Sequence, residues 1–339
     1  MAYCLAVRPG SGERTWTVVG ASYATVGPVE EWLEAHRCLW SPNTVRGYAT
    51  SLAQWWSFLE QRGEAGQWAE AGVPAVAGFL SWLRNGRTVE RSLAVPAGVP
   101  SAETLHARLA ALISFYQWQA AAHDVPVAGR LMRGQPTRAP SRGLLAHLGS
   151  RRGTAPSSLV KVHRRRDRPP LLLPQDIQAI IDGCASWDST AGDWAGNLRD
   201  RLIFSVLAET GLRLGEVLGM TIGDFVMGLG GTAHIEVVPR PGNANGARVK
   251  MMRPRRVHVG ADLERLFADY LTYLACRAAS LGLEITPGSP LMVNLDRPPL
   301  LAAMREGTVR DKVTALKKKG IGPSGWTPHW FRHSHASAL

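Results

Sequence analysis

Cysteine is scarce: four residues, Cys4, Cys38, Cys184 and Cys276, are scattered through 339. No two form a C-x-x-C pair and none stands at zinc-finger spacing from a histidine, which argues against a disulfide framework or a structural zinc site. They read as reduced, mostly buried small hydrophobes. Long apolar runs are also lacking. Hydrophobic residues make up 45% of the chain, but none gather into the uncharged stretch of about 18 that a membrane helix needs. The first ten residues lack the basic start, apolar core and cleavage site of a secretory leader, so cytoplasmic residence is expected. No internal repeat is visible, which sets solenoids aside. Acid is in deficit, with 27 Asp and Glu against 39 Lys and Arg and a net charge of +12. That imbalance favours a polyanionic partner, because each phosphate contact releases condensed counterions.

The excess charge is concentrated in one place. Between Arg130 and Arg168 eleven basic residues face a single acid, Asp167. The stretch is rich in Pro, Gly and Ser and cannot bury enough apolar surface to fold alone. It reads as a basic flexible linker over 126–169, separating a region at 25–125 from one at 170–339, with 1–24 as an N-terminal extension.

Eight of the twelve tryptophans precede that linker. There, apolar residues recur at steps of three and four, as in Val45, Tyr48, Leu52, Trp55, Trp56 and Leu59 behind the candidate caps Ser41 and Asn43. Pro28 in a favoured early position, with Glu30 and Glu31 in the first turn, predicts a helix over Pro28–Trp40. Similar stripes predict helices over Val76–Leu83 and from Ser101 through Tyr116, and these helices together make a small bundle. Beyond the linker the pattern is mixed. Helices are predicted over Leu173–Cys184, Leu198–Ala208, Ala261–Ala279 and Val309–Lys319. Strands are predicted at His234–Val238, Arg255–Val259 and Leu291–Leu295. The fold class is therefore mainly α with a small antiparallel sheet: a helical bundle followed by an α+β domain.

Two motifs carry chemistry. In Glu209-Thr-Gly-Leu-Arg-Leu-Gly-Glu216, Gly211 breaks one helix and places Arg213 near the start of the next. Glu216, three residues on, falls on the same side of the turn. A carboxylate holding an arginine in this way preorganises an anion fork, although such a pair is more often a weak surface ion pair. The second motif, Thr327-Pro-His-Trp-Phe-Arg-His-Ser-His335, puts His329 and Arg332 three apart at a helix start. His329 and His333, at i and i+4, also raise a metal reading, but no Glu follows the first histidine and no third ligand is apparent. No metal and no cofactor are expected.

The string Thr210-Gly-Leu-Arg-x-Gly-Glu216, followed over a hundred residues later by His329-x-x-Arg332-His333, resembles the paired boxes of the tyrosine recombinase (phage integrase) family. Ser41-x-x-Thr44-x-x-x-Tyr48-x-x-x-Leu52 and Ser114-Phe-Tyr-x-Trp118 resemble that family's SAM-like core-binding domain. The likeness covers about 25–125 and 170–339. It implies a site-specific recombinase or integrase that binds duplex DNA and cuts and rejoins strands through a 3′-phosphotyrosyl intermediate. Arg213 and Arg332 would grip one DNA phosphate, His329 would donate a further hydrogen bond, and Glu216 would orient Arg213. Lys250, between two predicted strands, would protonate the leaving 5′ oxygen; Arg248 and Arg253 compete for that place but make poor proton donors. Arg46, Arg108 and the run Arg164, Arg165 and Arg166 are further candidate DNA contacts, each equally readable as a solvated arginine. The family assembles as a tetramer on DNA.

The family keeps its attacking tyrosine downstream of His-x-x-Arg, whereas this sequence ends seven residues past Arg332 and none of its six tyrosines follows it. The expectation is a truncated catalytic domain that binds DNA without cleaving it, with a monomer in place of the family's tetramer. A non-catalytic DNA-binding decoy and a type IB topoisomerase are the alternatives.

Overall fold

The computed structural model describes residues 1–8, 15–85, 100–133, 157–162, 169–228, 231–240, 242–247 and 253–338. The chain divides into two compact units, Met1–Arg166 and Asp167–Leu339.

The first unit is the expected bundle. Helices α1 (Gly27–His36), α2 (Pro42–Gln61), α3 (Val73–Arg84) and α4 (Ala102–His123) form it. Ser41 caps α2 by accepting the Thr44 N–H at 3.2 Å, with Pro42 behind it in the first turn. This placement uses a proline where no backbone donor is needed. Ser101 caps α4 in the same way through Thr104. The apolar stripes close on a core in which Trp32, Trp55, Phe79, Phe115 and Tyr116 are almost wholly buried. The Trp55 indole N–H donates to the Tyr116 hydroxyl at 3.1 Å, and Tyr116 donates in turn to the Trp68 carbonyl at 2.8 Å. The polar handles of Trp55 and Tyr116 therefore find partners, whereas the buried Trp32 indole N–H has no hydrogen-bond partner among the described residues.

Two boundaries drawn from composition change. The segment 1–24 is not a mere extension, because β1 (Tyr3–Val7) and β2 (Thr15–Val19) pair antiparallel from Tyr3↔Val19 to Val7↔Thr15. Val18 is fully buried in the bundle core, and Ser57 of α2 donates its hydroxyl to the Ala2 carbonyl at 2.8 Å. Described parts of the basic stretch 126–169 are also folded. Helix α5 (Val127–Leu131) leads into β3 (Met132–Arg133), which pairs with β4 (Ser157–Ser158). Val127, Leu131 and Val162 are buried in the same core. Three apolar anchors are enough to hold these pieces down despite their polar surroundings.

The second unit contains α6 (Pro174–Asp182), the hairpin β5 (Ala185–Asp188) with β6 (Asp193–Gly196), α7 (Leu198–Thr210) and α8 (Leu214–Leu218). There follow the antiparallel sheet β7 (Phe225–Val226), β8 (His234–Val237) and β9 (Arg255–His258), then α9 (Ala261–Ser280), α10 (Glu306–Lys318) and α11 (Pro328–Ala338). Helix α7 is buried on most of its circumference, with Leu202, Ile203, Phe204, Val206 and Leu207 nearly inaccessible. Burial on most sides marks it as an interior helix, and α6, α9 and α11 pack against it.

The strand expected at Leu291–Leu295 does not form. Leu291, Met292 and Val293 are buried, but the segment is coil that makes isolated bridges, Thr221↔Pro290 and Val293↔Ala303. Its backbone is satisfied piecemeal, for example by Leu291 N–H to the Met220 carbonyl at 3.0 Å. A short buried apolar run looks the same in either conformation. Among the described residues no helix is long and apolar enough to cross a membrane.

Candidate phosphate-binding site

The site forms where α7 stops. Gly211 caps that helix in the left-handed region at φ +59°. It also lies under α11, since a Cβ added there would come within 2.5 Å of the His335 ring. Glycine thus serves twice, by ending a helix and by letting another approach its backbone. Arg332, one turn before His335, donates a guanidinium N–H to the Gly211 carbonyl at 2.6 Å. The orientation of α11 is set by Phe331, which is fully buried and stacks on Phe204 of α7 with centroids 5.6 Å apart.

Two residues past Gly211, Arg213 adopts extended geometry as the N-cap of α8. Glu216, at the third position of that helix, accepts the Arg213 backbone N–H at 2.9 Å. The sequence motif is therefore a capping device that fixes the backbone from which the Arg213 side chain projects. Its guanidinium reaches Glu216 at 3.3 Å.

Arg213, His329 and Arg332 line one cavity of about 560 Å³, together with Thr327, Arg310 and Lys317. Residues 116 positions or more apart in the sequence, on α8 and α11, thus face a common space. The charge balance there is uneven. Burial alone would raise the carboxyl of Glu216. It is outweighed by the hydrogen bonds from Arg255 and the Arg213 backbone and by both guanidinium charges, which hold the group below the usual carboxylate range. Arg332 is shifted down, first by loss of hydration and then by the nearby Arg213 and Arg255 charges, with Glu216 partly offsetting them. Three guanidiniums thus converge around one buried carboxylate. That surplus of positive charge and preorganised donors suits an anion with several equatorial oxygens.

The other expected residues are placed differently. Lys250 and its competitor Arg248 lie outside the described residues, as do Arg164, Arg165 and Arg166. Arg253 is described and exposed. Arg46 is exposed on α2, whereas Arg108 of α4 is half-buried and donates to the Ser51 hydroxyl at 2.9 Å. The His329 and His333 rings meet edge to face at 4.5 Å. Among the described residues no group of three or more His, Cys, Asp or Glu gathers around a possible metal position.

Two residues of this region escape the motifs. Arg255 opens β9 and donates to Glu216 at 2.7 Å. It alternates with exposed Arg256 and shares the half-buried face of Val257, a period-two signal that points it inward. Asn245 donates its amide to the carbonyls of Leu218 and Met304 at 2.7 and 2.9 Å, tying the turn-rich loop to the end of α8.

Residues 171–339 match the phage integrase family, and residues 29–123 match the phage integrase N-terminal SAM-like domain. Tyrosine recombinase XerC of Methylobacterium sp. (strain 4-46) is 30% identical over 318 residues, covering 92% of this chain and 79% of that protein. The chain belongs to the tyrosine recombinase family. Transposase A from transposon Tn554 of Staphylococcus aureus, at 26% identity over 301 residues, covers 88% of this tyrosine recombinase and 75% of its own length. The fold is shared with XerH site-specific recombinase in its post-cleavage complex with palindromic difH substrate. There the TM-score is 0.52 at 16% identity, covering 91% of this chain and 72% of that one.

Proposed function

We propose that this tyrosine recombinase binds duplex DNA and holds one backbone phosphate in the α8–α11 cavity for site-specific strand exchange. Arg213 and Arg332 grip its non-bridging oxygens, and His329 donates to the same group. The observation that carries the reading is the convergence of these three side chains on one cavity with an excess of guanidinium charge. Phosphoryl transfer needs charge stabilisation at the equatorial oxygens, and two guanidinium forks with an imidazole supply it. Lys250 is the proposed proton donor to the leaving 5′ oxygen, its ammonium being a better acid than a guanidinium.

Among the described residues no tyrosine lines this cavity. Tyr270 is buried with its hydroxyl on the Leu291 carbonyl, Tyr273 lies on the same helix α9, and neither lines the cavity. A polypeptide of residues 1–339 is therefore expected to bind DNA without becoming linked to it.

Gel shift and trapping on a nicked duplex test both parts. R213A and R332A should each weaken binding and lower the salt slope by about one, as expected for a lost phosphate contact. Unchanged binding in both variants would overturn the site. A covalent adduct would overturn the absence of cleavage, and plasmid relaxation without any specific site would favour topoisomerase chemistry.

A further inference from the structure

The shortest guanidinium contact of Glu216 is not with Arg213. Arg255 reaches its Oε2 at 2.7 Å, whereas Arg213 reaches Oε1 at 3.3 Å. Glu216 has no exposed side-chain surface, while the two arginines keep about a third of theirs, at 36% and 33%. A buried carboxylate at full charge takes the strongest donor it can reach, because it has no water to turn to. Here that donor comes from the first residue of β9, thirty-nine positions away in the chain. Arg213 is held chiefly by its backbone N–H, which Glu216 accepts at 2.9 Å.

From this division we infer that Arg255 is a positioning residue of the phosphate site, which occupies Glu216 so that the Arg213 guanidinium is available to the DNA phosphate. The inference rests on the proposed role of Arg213. Without Arg255, the uncompensated carboxylate becomes a competitor for Arg213. The phosphate then has to displace an intramolecular ion pair before it can be gripped.

The test is a set of substitutions in the 339-residue chain, read as affinity for a short DNA duplex, with thermal unfolding followed in parallel. R255Q should weaken binding about tenfold, the size expected when one charge-assisted hydrogen bond is lost. In that background R213A should cost little more, because Arg213 is already diverted. R255K should recover most of the affinity. E216Q added to R255Q should also recover affinity, because it removes the competitor and leaves a neutral amide facing a neutral amide. That double variant keeps the assay readable if R255Q alone folds poorly.

A merely structural Arg255 would lose and regain stability and affinity together in these variants. A positioning role is marked instead by affinity lost and recovered without a matching shift in thermal unfolding, and by the smaller cost of R213A in the R255Q background. The inference is overturned if R255Q binds like the unaltered chain, if R213A costs the same in both backgrounds, or if E216Q restores nothing. If R213A has no effect in the unaltered chain, the phosphate-site reading itself fails, an outcome separate from these.

Discussion

The two units bury different things. Among the described residues, the polar side chains buried in the first unit are neutral: Thr15, Thr17, Ser51, Ser57 and Gln119. In the second they include Arg199, Asp200, Glu216 and Asp224. The first core is built of rings, with Trp32 against Trp40 at 5.0 Å and Trp55 against Phe79 at 5.2 Å. The second is mainly aliphatic around α7. Rings supply large buried area in fixed geometry and need little electrostatic support. Buried charges contribute little net stability, but they hold directions that apolar packing cannot specify. The unit containing the proposed phosphate site is also the one that uses charge to fix its interior.

The largest test of the contrast is Trp55→Ala. It would empty a fully buried site among Phe58, Phe79 and Tyr116, costing about 4 kcal/mol by comparison with other core Trp truncations. Hydrogen exchange should show protection lost in α2 and α4 and retained in α7. Equal loss in both units would mean that their cores are not energetically distinct.

Next in size is Asp200→Ala. The Asp200 carboxylate accepts two hydrogen bonds from Arg199, at 2.9 and 2.6 Å, and pairs with Lys312 at 3.2 Å. Arg199 is nearly buried and, among the described residues, keeps only the Val293 carbonyl, at 2.8 Å, once the acid is gone. Removing one partner of a buried pair leaves an uncompensated charge, which costs about 3 kcal/mol. The loss should appear in the second unit. Replacing both Arg199 and Asp200 with apolar residues should recover part of it; if the pair replacement is as damaging as the single one, the ion pair is not the cause.

How much of this was readable in advance depends on sequence distance. The helices α2 and α4 announce themselves through stripes and caps within one turn, as at Ser41 and Ser101. Glu216 falls next to Arg213 because the capping geometry is local. His329 and Arg332 share a face for the same reason, but their meeting with Arg213 was legible only through the family resemblance. Arg255 was missed because its partner, Glu216 of α8, lies thirty-nine positions away and no local spacing reports the pairing. The hairpin β1–β2 was missed because Thr15–Val19 is buried on both faces and shows no alternation. Leu291–Leu295 was misread for the reverse reason: burial imitates a strand where the backbone is satisfied by scattered partners.

The smallest effect needs only acid and separates the charged core from the aromatic one. Glu216 is held below the ordinary carboxylate range despite its burial, by Arg255, the Arg213 backbone and both guanidinium charges. A group whose folded pKa is depressed adds stability above its unfolded value, about 4.3 for Glu, and loses it as pH falls through the lower folded value. Between those two values the contribution changes by about 1.4 kcal/mol per pH unit. The second unit should therefore lose stability as pH falls from 7 to below the ordinary range. In E216Q this part of the loss should be absent, so the two unfolding curves should converge at low pH. A gap between E216Q and the unaltered chain that stays constant across that range would mean that the carboxylate is not held charged by its arginines. The support assigned to Arg213 would then have to come from backbone capping alone.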